Sequence, residues 1–158
     1  MTKEKLGALI IDSERQMYVT ARSILSEDED CADAIQETIV KAFSKINSLK
    51  QDAYAKTWLI RILINECYNV LRQKSRQIPM DVEGEMAAKS AVEPKDYSDL
   101  YRAVSQLQED LRMPVVLYYG EDFSVREIAQ VLEISEGAVQ KRLARARQKL
   151  KRLLEDVS

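Results

Sequence analysis

Apolar residues in the first half of the chain recur every three or four positions, which is the spacing of an amphipathic α-helix. Over residues 3–26 this pattern predicts one or two helices. The acidic run at 27–30 opens a second helix, which extends to about Ile46, because acids are favoured at the positive end of a helix. Asp52 is the expected N-cap of a third helix, from Ala53 to about Lys74. The residues expected to face inward are Leu6, Ile10, Met17, Ala21, Ile24 and Leu25, then Ala32, Ile35, Ile39, Ala42, Phe43 and Ile46, then Leu59, Ile62, Leu63, Val70 and Leu71.

The pattern is interrupted between residues 77 and 96. This stretch, QIPMDVEGEMAAKSAVEPKD, holds two of the three prolines, several acids and no clear period, which predicts a flexible linker. Helical spacing then returns, with one stripe at Leu100, Val104 and Leu107 and a further segment around residues 115–118 that Pro114 starts or kinks. The predicted fold class is all-α, with two small helical domains at 1–76 and 98–158 joined by a flexible acidic linker at 77–97.

Composition limits the chemistry that such a chain can perform. Of the 158 residues, 32% are charged, whereas only 4 are Gly and 3 are Pro, which favours long helices over a sheet. The chain has no His, the commonest general base and metal ligand. It also has no Gly-rich phosphate loop, nucleophile elbow or paired-carboxylate motif. We therefore expect no catalytic site, cofactor, metal or small-molecule substrate.

Two further absences bear on location. The N-terminus lacks the apolar core and cleavage site of a signal peptide. No apolar run approaches the roughly 20 residues that span a bilayer. A cytoplasmic protein is expected, and Cys31 and Cys67, which form no metal or redox motif, are expected to be buried reduced thiols.

The segment FSVREIAQVLEISEGAVQKRLARARQKL carries the signals of a helix-turn-helix. Ser124 and Glu127 form a capping box, and Phe123 and Ile128 a hydrophobic staple. Residues 133–135 form a three-residue turn, whose middle residue faces inward and whose last residue caps the next helix. Two short helices joined by a tight turn bind DNA when the second keeps a free polar face. The expected inward residues are Ile128, Ala129 and Leu132, then Val139, Leu143, Ala146, Leu150 and Leu153.

The polar face of that second helix is strongly basic, although the chain carries a net charge of −2. A basic face is often merely solvated, so charge alone does not indicate DNA. The basic face together with the capping and turn signals does indicate DNA binding. Gln140 and Lys141 suit base edges, and Ala144 suits close approach or a thymine methyl group. Arg142, Arg145, Arg147 and Lys149 are better placed for phosphates. The expected duplex-binding set is Ser135, Gly137, Gln140, Lys141, Arg142, Ala144, Arg145 and Lys149.

Two other helix faces in the first domain carry polar residues. The second helix presents an acidic face with one apolar residue, which can simply be solvated. The third presents cations, an amide and aromatics, a combination that suits single-stranded nucleic acid. Trp58 beside this face would, alone, more often be a core residue. The acidic face comprises Asp33, Gln36, Glu37 and Val40, and the mixed face Thr57, Arg61, Asn65, Tyr68 and Arg72.

These motifs resemble the extracytoplasmic function (ECF) sigma factors of bacterial RNA polymerase. The helix-turn-helix is similar to the region 4 pattern FSYEEIAEILGISEGTVKSRLxRARxKL. DCADAIQETIVKAFSKI is similar to the region 2 signature D-A-E-D-L-V-Q-E-T-F-L-R-A-F, and TWLIRILINECYNVLR to A-W-L-Y-R-I-A-R-N-x-x-x-D-x-L-R. The resemblance covers nearly the whole chain in the family's order. The departures are Ala32 for Glu, Ile39 for Phe, Asn69 for Asp and Glu133 for Gly.

The resemblance implies an alternative sigma factor that binds core RNA polymerase and recognises promoter DNA. Residues 98–158 would meet the −35 element and the polymerase β flap. Residues 1–76 would meet the β′ coiled coil through Asp33, Gln36, Glu37 and Val40. They would also bind and help melt the −10 element, with an unpaired base held near residues 50–56. The expected −10 set is Tyr54, Lys56, Trp58, Arg61, Asn65 and Arg72.

The family also implies a membrane-bound anti-sigma factor, which could hold the chain at the inner face of the membrane. The alternative is an autonomous helix-turn-helix regulator that binds its operator unaided. Such regulators usually act as dimers, and the sequence offers no obvious dimerisation segment or ligand-binding domain.

Overall fold

The computed structural model describes residues 1–77 and 98–157. Within those ranges every regular element is helical, which confirms the all-α prediction. The linker predicted at 77–97 lies outside the described residues, apart from Gln77, which ends a helix. The α-helices are α1 (Lys3–Ile24), α2 (Asp28–Ser44), α3 (Ala55–Gln77), α4 (Ser98–Gln106), α5 (Glu109–Val115), α6 (Val125–Leu132) and α7 (Glu136–Val157).

The chain divides into two compact units, Met1–Ser90 and Ala91–Ser158, which we call unit 1 and unit 2. The number of units matches the two predicted domains. The exact boundaries at 76 and 98 stay predictions. Each unit has its own buried apolar residues, so each is described by itself.

Unit 1 is a three-helix bundle in which α1, α2 and α3 all pack on one another. Residues 3–24 form one continuous helix, which the Thr2 hydroxyl caps by accepting a hydrogen bond from the Lys5 amide (3.2 Å). The fully buried side chains come mainly from α1 and α3. They include Leu6, Met17, Leu25, Leu59, Ile60 and Leu63. On α3 the predicted Leu59 and Leu63 are buried, whereas Ile62, Val70 and Leu71 are half-buried, and Ile60 is buried although it was not predicted.

The inward face of α2 differs from the predicted one. Ala32 is exposed, and the residues that α2 buries are Cys31, Ala34, Thr38 and Ala42. These small or medium side chains allow α2 to lie close to both of its neighbours. The larger Ile35, Ile39, Phe43 and Ile46 are only half-buried, at the edge of this line. Ile46 also lies beyond the end of α2, in the 3-10 turn Ile46–Ser48.

The predicted N-cap of the third helix is also wrong. Asp52 lies in the 3-10 turn Asp52–Tyr54, and α3 begins at Ala55. The Asp52 carboxylate instead pairs with the N-terminal amine of Met1 (3.2 Å) and with Lys5 (3.8 Å). A partner distant in sequence has therefore taken over a group that local spacing assigned to helix capping.

Ion pairs join the end of α3 to the start of α2. The Lys74 ammonium group lies 2.6 Å from Asp30 and 3.1 Å from Glu27. The hydrogen bond with Asp30 is the largest cause of the raised pKa of Lys74, with a further contribution from Glu27, although burial opposes the shift. This clamp fixes the end of α3 that leads into the predicted linker.

Unit 2 is built around α7, which packs against α4, α5 and α6. Of the predicted stripe at Leu100, Val104 and Leu107, Leu107 is buried and Val104 half-buried, whereas Leu100 is 44% exposed. Pro114 lies inside α5 and is followed by a π-helical turn, Val116–Gly120. That turn is closed by the Glu121 amide, which donates to the carbonyl of Val116 (3.1 Å).

Both cysteines lie in unit 1, and both are free and buried, as predicted. Burial raises the pKa of the Cys31 thiol to about 11 and that of the Cys67 thiol to about 12. In the part of the chain that the structure describes, no helix is long and apolar enough to cross a membrane. No cluster of three or more metal-binding side chains occurs in that part either.

Candidate nucleic-acid interface

The first helix of the helix-turn-helix, α6, begins with the predicted capping box. The Ser124 hydroxyl accepts a hydrogen bond from the Glu127 amide (3.1 Å), and the Glu127 carboxylate accepts one from the Ser124 amide (2.9 Å). Phe123 and Ile128, the two residues of the predicted staple, are both buried. The capping box fixes where α6 starts, so local sequence sets the geometry of this element.

The three-residue turn between α6 and α7 is also as predicted. Glu133 adopts a left-handed conformation (φ 59°, ψ 44°), and the Ile134 amide donates to the carbonyl of Ala129 (3.1 Å). The Ser135 hydroxyl accepts from the Ala138 amide (3.0 Å) and caps α7. A left-handed residue at a helix end is usually Gly, which accounts for the glycine that the resembling pattern has at this position.

The basic helix α7 separates buried from exposed residues cleanly. Val139, Leu143 and Ala146 are buried. Successive residues turn by about 100°, and the residues on the opposite side are exposed. The structure brings together Gly137, Gln140, Lys141, Ala144 and Arg145 on that exposed face.

The other members of the predicted duplex-binding set lie around this face. Ser135 is exposed at the helix start, Lys149 is exposed on the flank, and Arg142 is half-buried beside the core line. A Cβ atom added to Gly137 would meet only the Ser135 hydroxyl, at 3.9 Å. The fold of unit 2 therefore does not itself require a glycine here.

Arg147 differs from the other cations of α7 because it has partners within the chain. Its Nε donates a hydrogen bond to the Tyr119 hydroxyl (3.0 Å), and its guanidinium carbon lies 5.9 Å from the centre of the Tyr118 ring. The two tyrosines meet edge to face. The predicted role of Arg147 at phosphates is thus in competition with these contacts, which come from the π-helical turn and have no local signal on α7.

The acidic face of α2 is present and accessible. Asp33, Gln36, Glu37 and Val40 are all exposed, on the side opposite the buried line of that helix. Val40 is 62% exposed, although it is apolar. An exposed apolar residue among acids is a suitable centre for a contact with a basic partner.

The mixed face of α3 is only partly as predicted. Arg61, Asn65 and Arg72 are exposed and Tyr68 is half-buried, but Thr57 is buried, and its hydroxyl donates to the carbonyl of Tyr54 (3.0 Å). Thr57 leaves this face because it lies against the 3-10 turn that precedes α3.

Two aromatic residues flank the start of α3. Trp58 is half-buried, and its indole nitrogen donates to the Ser48 hydroxyl (3.3 Å). Tyr54, in the preceding turn, is 47% exposed. Lys56 is half-buried on a different side of the helix from Arg61. The start of α3 thus presents a partly ordered group of aromatic residues beside its cations.

Comparison with known proteins places this chain in a family. Residues 9–77 match the family Sigma-70 region 2, and residues 97–150 match Sigma-70, region 4. Over 142 residues the chain is 32% identical to the ECF RNA polymerase sigma factor SigM of Mycobacterium tuberculosis, covering 89% of this chain and 72% of that protein. The chain belongs to the ECF sigma factors.

A second relative and two solved structures are also similar to this ECF sigma factor. It is 29% identical over 146 residues to the RNA polymerase sigma factor SigV of Bacillus subtilis, covering 92% of this chain and 88% of SigV. The sigma factor RpoE from Bartonella quintana, solved with the anti-sigma factor NepR, matches with a TM-score of 0.80 at 26% identity, over 96% of this chain and 98% of that one. CnrH, solved with the cytosolic domain of CnrY, matches with a TM-score of 0.75 at 26% identity, over 99% and 92% of the two chains.

Sequence reasoning missed two buried carboxylates among the described residues of this ECF sigma factor, Glu66 and Glu121. Glu66 of α3 is buried and forms an ion pair with Lys41 of α2. The spacing did contain the signal, because Glu66 falls on the same side of α3 as Leu59 and Leu63. A buried carboxylate requires a charged or hydrogen-bonding partner, and the half-buried Lys41 supplies one.

Proposed function

We propose that this ECF sigma factor binds core RNA polymerase, brings it to promoters through a −35 and a −10 element, and promotes opening of the −10 region. It supplies binding free energy and performs no chemistry of its own. One observation carries the proposal: two helices of the same chain, α7 and α3, present exposed cationic faces of different make-up. Each suits a different form of DNA.

The face of α7 suits the −35 duplex. Gln140 and Lys141 hydrogen-bond base edges in the major groove, and Ala144 allows close approach. Gly137 also allows DNA to approach the helix closely. The fold leaves room for a side chain at this position, so packing within unit 2 does not explain the glycine. Arg142, Arg145 and Lys149 contact phosphates, with Ser135 at the helix start.

The face of α3 suits the −10 element once its strands separate. Unpaired bases stack on aromatic side chains while cations neutralise the backbone. Trp58 and Tyr54 supply the aromatic surface, and a flipped base is held near residues 50–56. Lys56, Arg61, Asn65 and Arg72 contact the strand.

Polymerase binding involves both units. The acidic face of α2, Asp33, Gln36, Glu37 and Val40, docks on the β′ coiled coil, where opposite charge steers association. Unit 2 docks on the β flap. Residues 1–76 and 98–158 act as separate modules, and a flexible linker at 77–97 lets two weak contacts act at a high effective concentration.

We further propose control by an anti-sigma factor. Two similar solved structures are of sigma factors bound to NepR and to the cytosolic domain of CnrY. An inhibitor seated on either unit would block polymerase docking. The site of action follows that of the polymerase, in the cytoplasm, and a membrane-bound inhibitor would hold the chain at the inner face of the membrane.

Initiation assays test the proposed function directly. The purified chain is mixed with core polymerase and a promoter library, and transcripts are sequenced. We expect initiation at one class of promoter. A double charge reversal, Asp33→Lys with Glu37→Lys, should abolish it, whereas Glu14→Lys on the exposed side of α1 should not. Tight binding of a specific duplex by the chain alone, without any change in polymerase selectivity, would show an autonomous regulator instead.

A further inference from the structure

A row of four side chains crosses unit 1 from α2 to the exposed face of α3. Lys41 pairs with Glu66. The same Glu66 oxygen accepts a hydrogen bond from the Asn69 amide nitrogen (3.4 Å), and the Asn69 oxygen accepts one from the Arg72 guanidinium. The Glu66 side chain is 8% exposed, whereas Arg72 lies at the surface. The row therefore joins a buried carboxylate to a cation that we assign to −10 DNA.

Helix geometry explains how the row passes from inside to outside. Three residues along α3 correspond to a rotation of about 300°. Each member of the row is therefore displaced by about 60° around the helix axis from the one before it. Glu66, Asn69 and Arg72 are spaced by three, so they lie side by side along the helix while rotating from the core to the surface. Neighbouring members can therefore hydrogen-bond without any distortion of α3.

The buried end of the row is its anchor. A buried carboxylate is tolerated only when it is paired and hydrogen-bonded. Lys41, on another helix, provides that pairing and so fixes the place of Glu66. Glu66 in turn fixes the amide of Asn69.

Asn69 suits the centre of this row because an amide both donates and accepts. Its nitrogen donates to Glu66 and its oxygen accepts from Arg72. Aspartate, the residue of the resembling pattern at this position, would accept from Arg72 but would put a second carboxylate beside Glu66. In this chain, with a buried acid three residues earlier, the amide satisfies both neighbours.

We propose that Asn69 is a positioning residue that holds the Arg72 guanidinium at the face of α3 for contact with the −10 strand. The inference rests on the proposed assignment of Arg72 to DNA. A long arginine side chain loses rotamer freedom when it binds. An arginine that is already held by Asn69 loses less, so the contact forms more readily.

The test is a double-mutant cycle in the holoenzyme with core polymerase, on a promoter with a fluorescent base analogue in the −10 element. Arg72→Ala should lower the opening equilibrium about tenfold, as expected for losing one charged contact. Asn69→Ala should lower it about two- to tenfold, less than Arg72→Ala, because the guanidinium is still present but is no longer held by the amide oxygen. In the Arg72→Ala background, Asn69→Ala should cause no further loss. Gln73→Ala, an exposed neighbour on another side of α3, is the control that should change nothing.

A second variant separates positioning from simple structural support. Asn69→Asp keeps the acceptor for Arg72 but repels Glu66, so it should open the promoter better than Asn69→Ala while lowering the melting temperature more. If Asn69 only supported the fold, the variant with the lower melting temperature would also be the one that opens the promoter less well. That result, or additive losses in the cycle, would overturn the proposal.

The cycle also separates the positioning role of Asn69 from the assignment of Arg72 to DNA. If Arg72→Ala lowers opening and Asn69→Ala does not, the positioning role is wrong and the assignment of Arg72 to DNA stands. If Arg72→Ala itself has no effect, Arg72 does not contact the −10 strand, and the positioning role is wrong with it.

Discussion

The two helices that we propose to meet DNA differ in make-up, and they also hold their polar side chains differently. On α7, Gln140, Lys141 and Arg145 project from an exposed face. On α3, the indole of Trp58 donates to Ser48 and the guanidinium of Arg72 donates to Asn69. One face is free to adjust, and the other is already partly ordered.

This difference matches the two forms of DNA. A duplex is stiff and presents a fixed pattern of donors and acceptors, so the protein side chains can become ordered on it. An unpaired strand is flexible and loses entropy on binding. A surface that is already ordered limits the total loss, so we expect preorganisation to matter more on α3 than on α7.

The largest expected effect breaks the α7 side of the comparison. The double variant Gln140→Ala, Lys141→Ala should lose about 2–6 kcal/mol of −35 discrimination, from about 1–3 kcal/mol for each base contact. Affinity for a −10 single strand should not change. The measurement is a selection of −35 sequences by holoenzyme, with Gln106→Ala, at an exposed position of α4, as the control. Unchanged −35 preference would remove both residues from base recognition.

The next effect breaks the α3 side. Trp58→Ala should lower promoter opening by about 1–3 kcal/mol, the value of stacking one base on an aromatic ring. Trp58→Phe keeps a stacking surface and should retain most of the activity. Fluorescence of a −10 base analogue measures opening, and −35 duplex affinity should stay the same in both variants. Equal losses in the Phe and Ala variants would show that the indole hydrogen bond to Ser48, and not stacking, is what matters.

An effect of similar size distinguishes the two units by their response to alkali. Burial raises the pKa of Cys31 from 9.0 to about 11 and that of Cys67 from 9.0 to about 12, so the folded state favours the protonated thiols. Their stabilisation is complete below pH 9.0 and is lost as pH rises through the folded values. Above pH 9 the free energy of unfolding should fall by about 1 kcal/mol per thiol for each pH unit.

The control for this prediction replaces both thiols. A Cys31→Ala, Cys67→Ala variant should be less stable at neutral pH, yet its denaturant midpoint should decline less steeply between pH 9 and 10.5. Parallel declines in the two proteins would mean that the thiols do not titrate as burial requires. Unit 2 has no cysteine, so the signal belongs to unit 1 alone.

The smallest effect concerns the left-handed residue in the turn before α7. Glu133→Gly should raise the stability of unit 2 by about 0.5–1 kcal/mol, because glycine adopts the left-handed conformation without strain but loses more chain entropy on folding. Glu133→Ala removes the same charge and keeps the Cβ atom, so it should give no such gain. Equal stabilisation by Ala and Gly in denaturant unfolding would trace the effect to charge.

The sequence predicted the helix-turn-helix down to single hydrogen bonds, because its signals are local. The capping box of Ser124 and Glu127 and the cap by Ser135 each join residues three apart. These hydrogen bonds form together with the helices, because both partners lie within a single helical turn. The left-handed Glu133 was visible only as a departure from a glycine pattern.

The errors lie where distant residues decide. Asp52 pairs with the N-terminus instead of capping α3, and Arg147 turns to tyrosines 28 and more residues earlier in the chain. Ala32 and Glu66 show the same limit, since the face that a helix buries depends on where its neighbours lie. Periodicity finds helices, but tertiary packing chooses between adjacent faces.

One measurement tests the central claim, that α3 opens the −10 element while α7 holds the −35 duplex. Holoenzyme with Arg61→Ala, an exposed residue of α3, is bound to a promoter and probed with permanganate, which detects unpaired thymines. Binding at the −35 element is followed in parallel. We predict that −35 occupancy is retained and that permanganate reactivity at the −10 element is strongly reduced. Normal reactivity at the −10 element, or loss of −35 occupancy, would contradict the division of labour between α3 and α7.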